Sequence, residues 1–514
     1  MTISHRIKVT FLSSFILGGL AHLFTLTNVL QNYDNIAIVP GGYGTGLTSG
    51  RWLLTVLGNF IKKIWGNYNL PFFNGLLTIF LLCISACLIV EILDLESISM
   101  CIVWGGIFLC FPTVTSTLFF MYTAPYYALA VLFVIASVWF TVNYKYGFLL
   151  AAVLGAFSLG IYQAYFPMMI TLFVTVLLQK ILSNDSQLKD IFRIGLLYLL
   201  TLFLSLLLYF LFLNICLKFY NMSLSDYQGV NEMGTINFME LPQIIKRMYI
   251  AFIKIPLADY KGLSATPIIR LSLSVLGAIS IFIISYIVLV RVKDWRIKIS
   301  AILLCLIFPI AVNSIIFMCP HSNIYTLMIY AAVFIYMIPL MLLDLMEKPS
   351  FICVSTKYTS WLRGIRKIIL ITYSVVIFNY IWLSNGNYVS MYYTTQQTNN
   401  YLNSLITQAR VADGYHSSLK WAFIGDSIVD PLFDNPWTHF DTFSYGGNAT
   451  TLINAYSRNS FIKNYVGYQI PIVDDEIINK LKTDKHIMEM PCYPDSGSIE
   501  VYKGVLVIKF ANEE

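Results

Sequence analysis

Apolar residues fill long uninterrupted blocks of this chain, and polar residues gather in the gaps between them. Blocks near 9–30, 72–93, 98–113, 124–142, 147–161, 164–182, 191–216, 266–291, 299–318, 323–346 and 365–384 carry essentially no Asp, Glu, Lys, Arg or His in their middles. A helix of about 20 apolar residues crosses a hydrocarbon core roughly 30 Å thick. In lipid the backbone must satisfy its own hydrogen bonds, and uniformly apolar runs do this as helices, whereas barrel strands alternate. The pattern predicts an all-α polytopic membrane protein with about eleven transmembrane helices.

Three gaps are long: 31–71, 217–265 and the tail 385–514. In the first, RWLLTVLGNFIKKIW (51–65) repeats apolar residues at helical spacing with Lys62 and Lys63 on the other side, which predicts an amphipathic helix lying in the membrane interface. ELPQIIKRMYIAFIKI (240–255) predicts a second. In the tail, KWAFIGDSI reads as a strand entering a turn, and SIEVYKGVLVIKF as a hairpin around Lys503-Gly504. The expected organisation is a membrane region, 1–384, followed by a small α/β domain, 385–514.

Composition agrees: 57% of the 514 residues are hydrophobic and 12% charged, against about a quarter charged in ordinary soluble domains. The net charge of +6 is modest. No basic stripe with interleaved aromatics is present, so a nucleic-acid partner is not expected. The N-terminal block is long and lacks a small-residue cleavage site, which predicts a retained first span. The nine cysteines are scattered. Cys83 and Cys87 lie one helical turn apart inside a span with no His or acid nearby, so they read as packing residues, and no metal-ligand cluster is evident.

Charge also orients the chain. With the N-terminus inside, Arg6, Lys8, Lys145, Lys180, Lys189, Arg193, Arg291, Lys293, Arg296 and Lys298 all fall on the inner side, as does the basic run from Lys348 to Lys367. The short connections at 114–123, 162–163 and 319–322 carry no Lys or Arg. The positive-inside rule therefore puts the N-terminus in the cytoplasm, and an odd number of spans puts the tail outside.

Acids and bases are confined to span ends and loops, which predicts a site at the outer face. Ion-coupled transport usually keeps such groups at membrane depth. The first loop reads NYDNIAIVPGGYGTGLTSGRWL (32–53). Asp34 lies where a carboxylate could take a proton from an incoming hydroxyl; Asp-Asn is equally a common turn pair. The glycines at 41, 42, 44, 46 and 50 match no nucleotide-binding signature, since Ser49 stands where a third spaced glycine would be needed. Arg51 is a candidate phosphate ligand, or a snorkelling interfacial cation. In SLGIYQAYF (158–166), Tyr162 and Gln163 are candidate sugar contacts, although tyrosines also anchor at interfaces. The second long loop holds Asp226, Glu232, Lys246 and Arg247, a basic face suited to a lipid phosphate or simply to solvent. Gly425-Asp426-Ser427 is similar to a lipase nucleophile turn, but Asp484 and His486 follow at the wrong spacing for its partners.

The acid and Gly50-Arg51-Trp52 of the first loop, the central SLGIYQAYF, and a polar tail after about eleven spans together resemble the serotype-converting O-antigen glucosyltransferases of bacteria and phage, the GtrII-like family, related in architecture to the GT-C class. The family commonly carries paired acids in the first loop; here the pair reads Asp34-Asn35. The resemblance implies a GT-C-like fold in the bacterial inner membrane with a periplasmic tail. It implies transfer of glucose from undecaprenyl-phosphate-glucose to a lipid-linked O-antigen (lipopolysaccharide) sugar on the periplasmic face, without a cofactor. A polyprenyl-phosphate glucose synthase and a flippase are the implied pathway partners. The expected roles are Asp34 as the base of an inverting displacement, Arg51, Lys246 and Arg247 on the donor phosphate, and Tyr162, Gln163 and Trp52 on substrate. The alternatives are an O-antigen polymerase or acyltransferase, a flippase or transporter of a lipid-linked sugar, and a non-catalytic envelope scaffold.

Overall fold

A computed structural model describes residues 4–38, 46–66, 69–183, 187–225, 239–348, 351, 356–425, 454 and 456–512. Asp226, Glu232, Asp426, Ser427 and the glycines at 41, 42 and 44 lie outside these residues.

Among the described residues, ten helices are long and apolar enough to cross a membrane. Each predicted block has its counterpart, the eleventh being the shorter apolar helix Gly147–Ile161. In chain order the helices are α1 (His5–Thr27), α2 (Tyr33–Ile38), α3 (Trp52–Trp65), α4 (Pro71–Ile92), α5 (Ile98–Cys110), α6 (Pro112–Phe119), α7 (Ala124–Asn143), α8 (Gly147–Ile161), α9 (Phe166–Ser183), α10 (Leu188–Tyr220), α11 (Leu241–Leu257), α12 (Pro267–Tyr286), α13 (Trp295–Val312), α14 (Ile315–Met318), α15 (Phe334–Glu347) and α16 (Thr356–Arg410). The two amphipathic segments are helical as expected, as α3 and α11.

Several boundaries differ from the sequence reading, among them that of the span expected at 299–318, which runs Trp295–Val312. The span expected at 98–113 continues to Phe119 and bends at Phe111, whose extended backbone (ψ 139°) precedes Pro112. The span expected at 323–346 begins only at Tyr330, after an irregular stretch. The division expected at 384/385 falls inside α16, 55 residues of unbroken helix. At 1.5 Å per residue α16 is about 80 Å long, far more than a bilayer needs, so its last turns leave the bundle and enter the tail.

Burial sorts the spans. The α5–α6 segment is 83% buried and the span ending α15 is 89% buried, whereas those of α10 and α13 are 28% buried and present apolar side chains to lipid. Close approach rests on small residues: a Cβ on Gly155 would lie 2.3 Å from the Ser205 hydroxyl of α10, and one on Gly105 would lie 2.6 Å from Ser14 of α1. The expectation that span interiors lack ionisable groups fails at His22, which is fully buried in α1. Its Nε2 meets the Leu109 carbonyl at 2.8 Å and its Nδ1 the Tyr388 hydroxyl at 2.8 Å. A carbonyl can only accept, so Nε2 carries the proton and Nδ1 accepts from Tyr388, a neutral ring joining α1, α5 and α16.

At the end of the bundle opposite α2, Arg6 bonds Asp94 at 2.6 Å, and the buried Asp344 of α15 accepts the Ser97 backbone N–H at 2.8 Å, capping α5. The tail holds a three-stranded sheet in the order β1–β3–β2: β1 (Lys420–Ile424) pairs parallel with β3 (Val505–Lys509), and β2 (Ile499–Tyr502) antiparallel with it. The predicted strand and hairpin are therefore both present. Tyr401, Leu402, Leu405 and Ile406 of α16 are built into the tail's core with Trp421, Phe423 and Phe510.

Candidate functional site

Helix α1 stops at Asn28, and three residues later the chain enters Gln31-Asn32-Tyr33-Asp34-Asn35. Asn32 caps α2: its side-chain oxygen accepts the Asn35 backbone N–H at 2.7 Å. The side-chain amides of Asn32 and Asn35 both donate to the Phe119 carbonyl, each at 2.9 Å, fixing the loop to the end of α6. Asn35 is fully buried. A carboxylate there would set acceptor against acceptor, so the amide of Asn35 supplies a donor this packing uses.

Asp34 faces the other way and is half-buried. It accepts a hydrogen bond from the Tyr456 hydroxyl of the tail at 3.4 Å. Burial pushes its carboxyl above the usual aspartate range, while the Tyr456 bond and the charge of Arg51 pull it back down. The net effect is a carboxyl that holds a proton more tightly than an exposed aspartate does.

Arg51 comes from the far side of the same loop. Gly50 adopts the left-handed conformation (φ 75°), and the Arg51 N–H bonds the Gly46 carbonyl at 2.8 Å; a side chain at position 50 would strain this turn. The guanidinium lies over the Tyr162 ring, 5.0 Å from its centroid, and reaches the Tyr127 hydroxyl at 3.4 Å. Tyr127 in turn stacks on Tyr162 at 4.6 Å. Tyr162 is placed by the predicted break: its extended backbone (φ −154°, ψ 109°) separates α8 from the following turn.

Gln163 and Trp52, expected on substrate, hold the site from behind. Gln163 is buried, and its amide nitrogen donates to the Ser49 carbonyl at 2.9 Å and to Tyr209 at 3.1 Å, while the Tyr209 hydroxyl bonds the Gly50 carbonyl at 3.1 Å. Together they clamp the two peptide units before Arg51. Trp52 is 6% exposed. Its ring packs between Phe157 at 5.9 Å and Phe212 at 5.2 Å, directly on Gly160. The sequence pointed to Trp52 through Gly50-Arg51-Trp52 and to Gln163 through SLGIYQAYF; both are buried behind Arg51.

Lys246 and Arg247 stand on α11. Lys246 is exposed, and Arg247 donates to the Pro320 carbonyl at 2.6 Å. His321 beside it meets Glu240 at 3.4 Å. These contacts tie α11 to the 319–322 connection; among the described residues no hydrogen bond or ion pair joins Lys246 or Arg247 to Asp34 or Arg51. Below it α12, α13, α15 and Phe252 of α11 line an apolar cavity of ≈ 490 Å³.

The sequence did not single out Tyr122, Tyr127 or Tyr456. Tyr122 is 9% exposed and within electrostatic reach of Asp34, Arg51 and Tyr456. Nothing local in MYTAPYY (121–127) or around Tyr456 marks these tyrosines. Asp484 and His486, dismissed as lipase partners, are engaged elsewhere: Asp484 accepts from Lys503 at 2.7 Å, and His486 contacts Glu500. Among the described residues no three His, Cys, Asp or Glu gather as a metal site.

A family model described as glucosyl transferase GtrII matches residues 23–336. No curated protein and no solved structure matches the chain. The matched interval contains Asp34, Arg51, Trp52, Tyr162, Gln163, Lys246 and Arg247 and ends within α15. With that match over more than half of its length and its many membrane-spanning helices, the chain belongs to the GtrII glucosyl transferase family and is a multi-pass membrane glucosyltransferase.

Proposed function

We propose that this protein moves glucose from undecaprenyl-phosphate-glucose to an O-antigen sugar at the periplasmic face of the bacterial inner membrane, by one inverting displacement. The observation that carries this reading is the joining of Asp34 and Arg51 at one end of the bundle, a base with a raised proton affinity beside a cation stacked on tyrosines. The acceptor hydroxyl gives its proton to Asp34 as its oxygen bonds the anomeric carbon. The bond from that carbon to the phosphate oxygen breaks, the electron pair leaves with the lipid phosphate, and Arg51 stabilises the anion. The transition state has oxocarbenium character, as in other reactions at glycosidic carbons. Asp34 then releases the proton to water.

A lipid-borne donor is supported by the cavity below α11. It is lined by Leu273, Leu276, Ile284, Val288, Phe308 and Ile338, among others, an apolar surface suited to a hydrocarbon chain. Its lining includes Phe252 of α11, the helix that also carries Lys246 and Arg247. The periplasmic assignment rests on the Lys and Arg clustered at the opposite end.

Asp34→Asn is the test. Mass spectrometry of the glycan from cells carrying the variant, with its membrane insertion confirmed, should show loss of the added hexose. Retained addition refutes Asp34 as the base. A glycan unchanged by deletion of the whole gene refutes the transferase reading in favour of a flippase or scaffold.

A further inference from the structure

We propose that the C-terminal domain completes the catalytic site, with Tyr456 as a positioning residue that holds the Asp34 carboxylate and offers its ring to the incoming acceptor. This rests on the reading of Asp34 as base. Tyr456 lies outside the matched interval 23–336, so the family's shared region does not supply it.

Two ties seat the tail on the α2 loop. Ile36, fully buried, packs in the tail's core with Leu402, Phe461 and Tyr493. The Gln31 backbone N–H reaches the Thr395 hydroxyl of α16 at 3.4 Å. The turn carrying Tyr456 is itself fixed: the Asn454 side-chain oxygen accepts the Ser457 N–H at 2.9 Å and its hydroxyl at 2.8 Å, and the Asn454 carbonyl accepts the Arg458 N–H at 2.9 Å.

From this turn the Tyr456 hydroxyl donates to Oδ1 of Asp34 at 3.4 Å, which leaves Oδ2 to take the acceptor's proton. The Tyr456 side is 54% exposed beside a half-buried carboxylate. An exposed aromatic face next to a base suits the apolar face of a sugar ring. Among the described residues, Tyr456 from the tail, Arg51 from the turn before α3 and Tyr122 from the turn after α6 interact with Asp34.

The pH profile separates positioning from mere packing. The Tyr456 bond favours the ionised carboxylate. Removing it raises the proton affinity of Asp34, so the acidic limb of the rate profile moves to higher pH. In full-length protein in lipid nanodiscs, with lipid-linked glucose and lipid-linked O-antigen as substrates, Tyr456→Phe should lower kcat about five- to tenfold, the worth of one such hydrogen bond. It should shift the acidic limb upward and leave acceptor KM unchanged. Tyr456→Ala should add a rise in acceptor KM. Thermal unfolding of both variants should match the parent, because the ring is outside the core. An unmoved acidic limb in Tyr456→Phe with an unmoved acceptor KM in Tyr456→Ala overturns the proposal while Asp34→Asn remains inactive. An active Asp34→Asn instead removes the reading on which it stands.

Discussion

Gly160→Ala tests whether the packing behind Arg51 sets the rate of glucosyl transfer. A Cβ at position 160 would sit 2.5 Å from Cε2, 2.6 Å from Nε1 and 2.9 Å from Cζ2 of Trp52. Carbon atoms rest at about 3.5–4.0 Å, so the indole must retreat by about 1 Å. It has no free side to retreat into, because Phe157 and Phe212 flank it and only 6% of the residue is exposed. Overpacking of this kind costs about 1–3 kcal/mol of stability. Trp52 directly follows Arg51, so the displacement passes into the turn that aims the guanidinium, and an error of about 1 Å at such a group can cost about a hundredfold in rate. The assay pairs thermal unfolding of purified protein with kcat/KM for glucosyl transfer. Gly160→Ala should lose on both measures, and adding Trp52→Leu to it should restore most of the stability, a coupling that a double-mutant cycle reads directly. A Gly160→Ala protein with parental stability and parental rate would refute the reasoning.

Two further outcomes follow from the same geometry. Gln163→Leu removes the donor that holds the Ser49 carbonyl and Tyr209; it should destabilise the protein by about 1–3 kcal/mol, the cost of buried groups left unpaired, and lower kcat/KM, as read by chemical denaturation and initial rates. Gly277→Trp projects into the cavity below α11, where a Cβ meets nothing within 4 Å; it should raise KM for a long-chain donor and spare a short-chain one, and an equal effect on both would exclude the cavity as the chain's path.

Much of the membrane region was legible because lipid imposes one simple requirement on sequence: enough consecutive apolar residues to cross. Every predicted span has a helical counterpart, and the break at 162–163 is where Tyr162 leaves the helix. What the apolar pattern cannot report is helix that continues after the lipid ends. Beyond 384 the sequence turns polar, yet α16 runs on to Arg410 because its Tyr401, Leu402 and Leu405 meet the tail instead of the bilayer. His22 was missed for the opposite reason: its partners Leu109 and Tyr388 are remote in sequence. In the site, Asp34 and Arg51 were legible as a lone acid and a lone base on one loop. Tyr456 was not, since 422 positions separate it from Asp34. At Asn35 the sequence showed only the second half of an Asp-Asn pair; the structure shows a buried donor to the Phe119 carbonyl.

The unbroken α16 makes the tail's position a matter of helical phase. Each residue of an α-helix advances the chain by 1.5 Å and turns it by about 100°. One residue inserted between the bundle and the docking face would swing Tyr456 about a quarter-turn away from Asp34. Four would nearly restore its bearing but lift the domain by about 6 Å. A flexible loop could absorb added residues, whereas this rod fixes the spacing and azimuth of what lies beyond it. A tail grafted onto this bundle must therefore be spliced in register with the helix, or it arrives facing the wrong way.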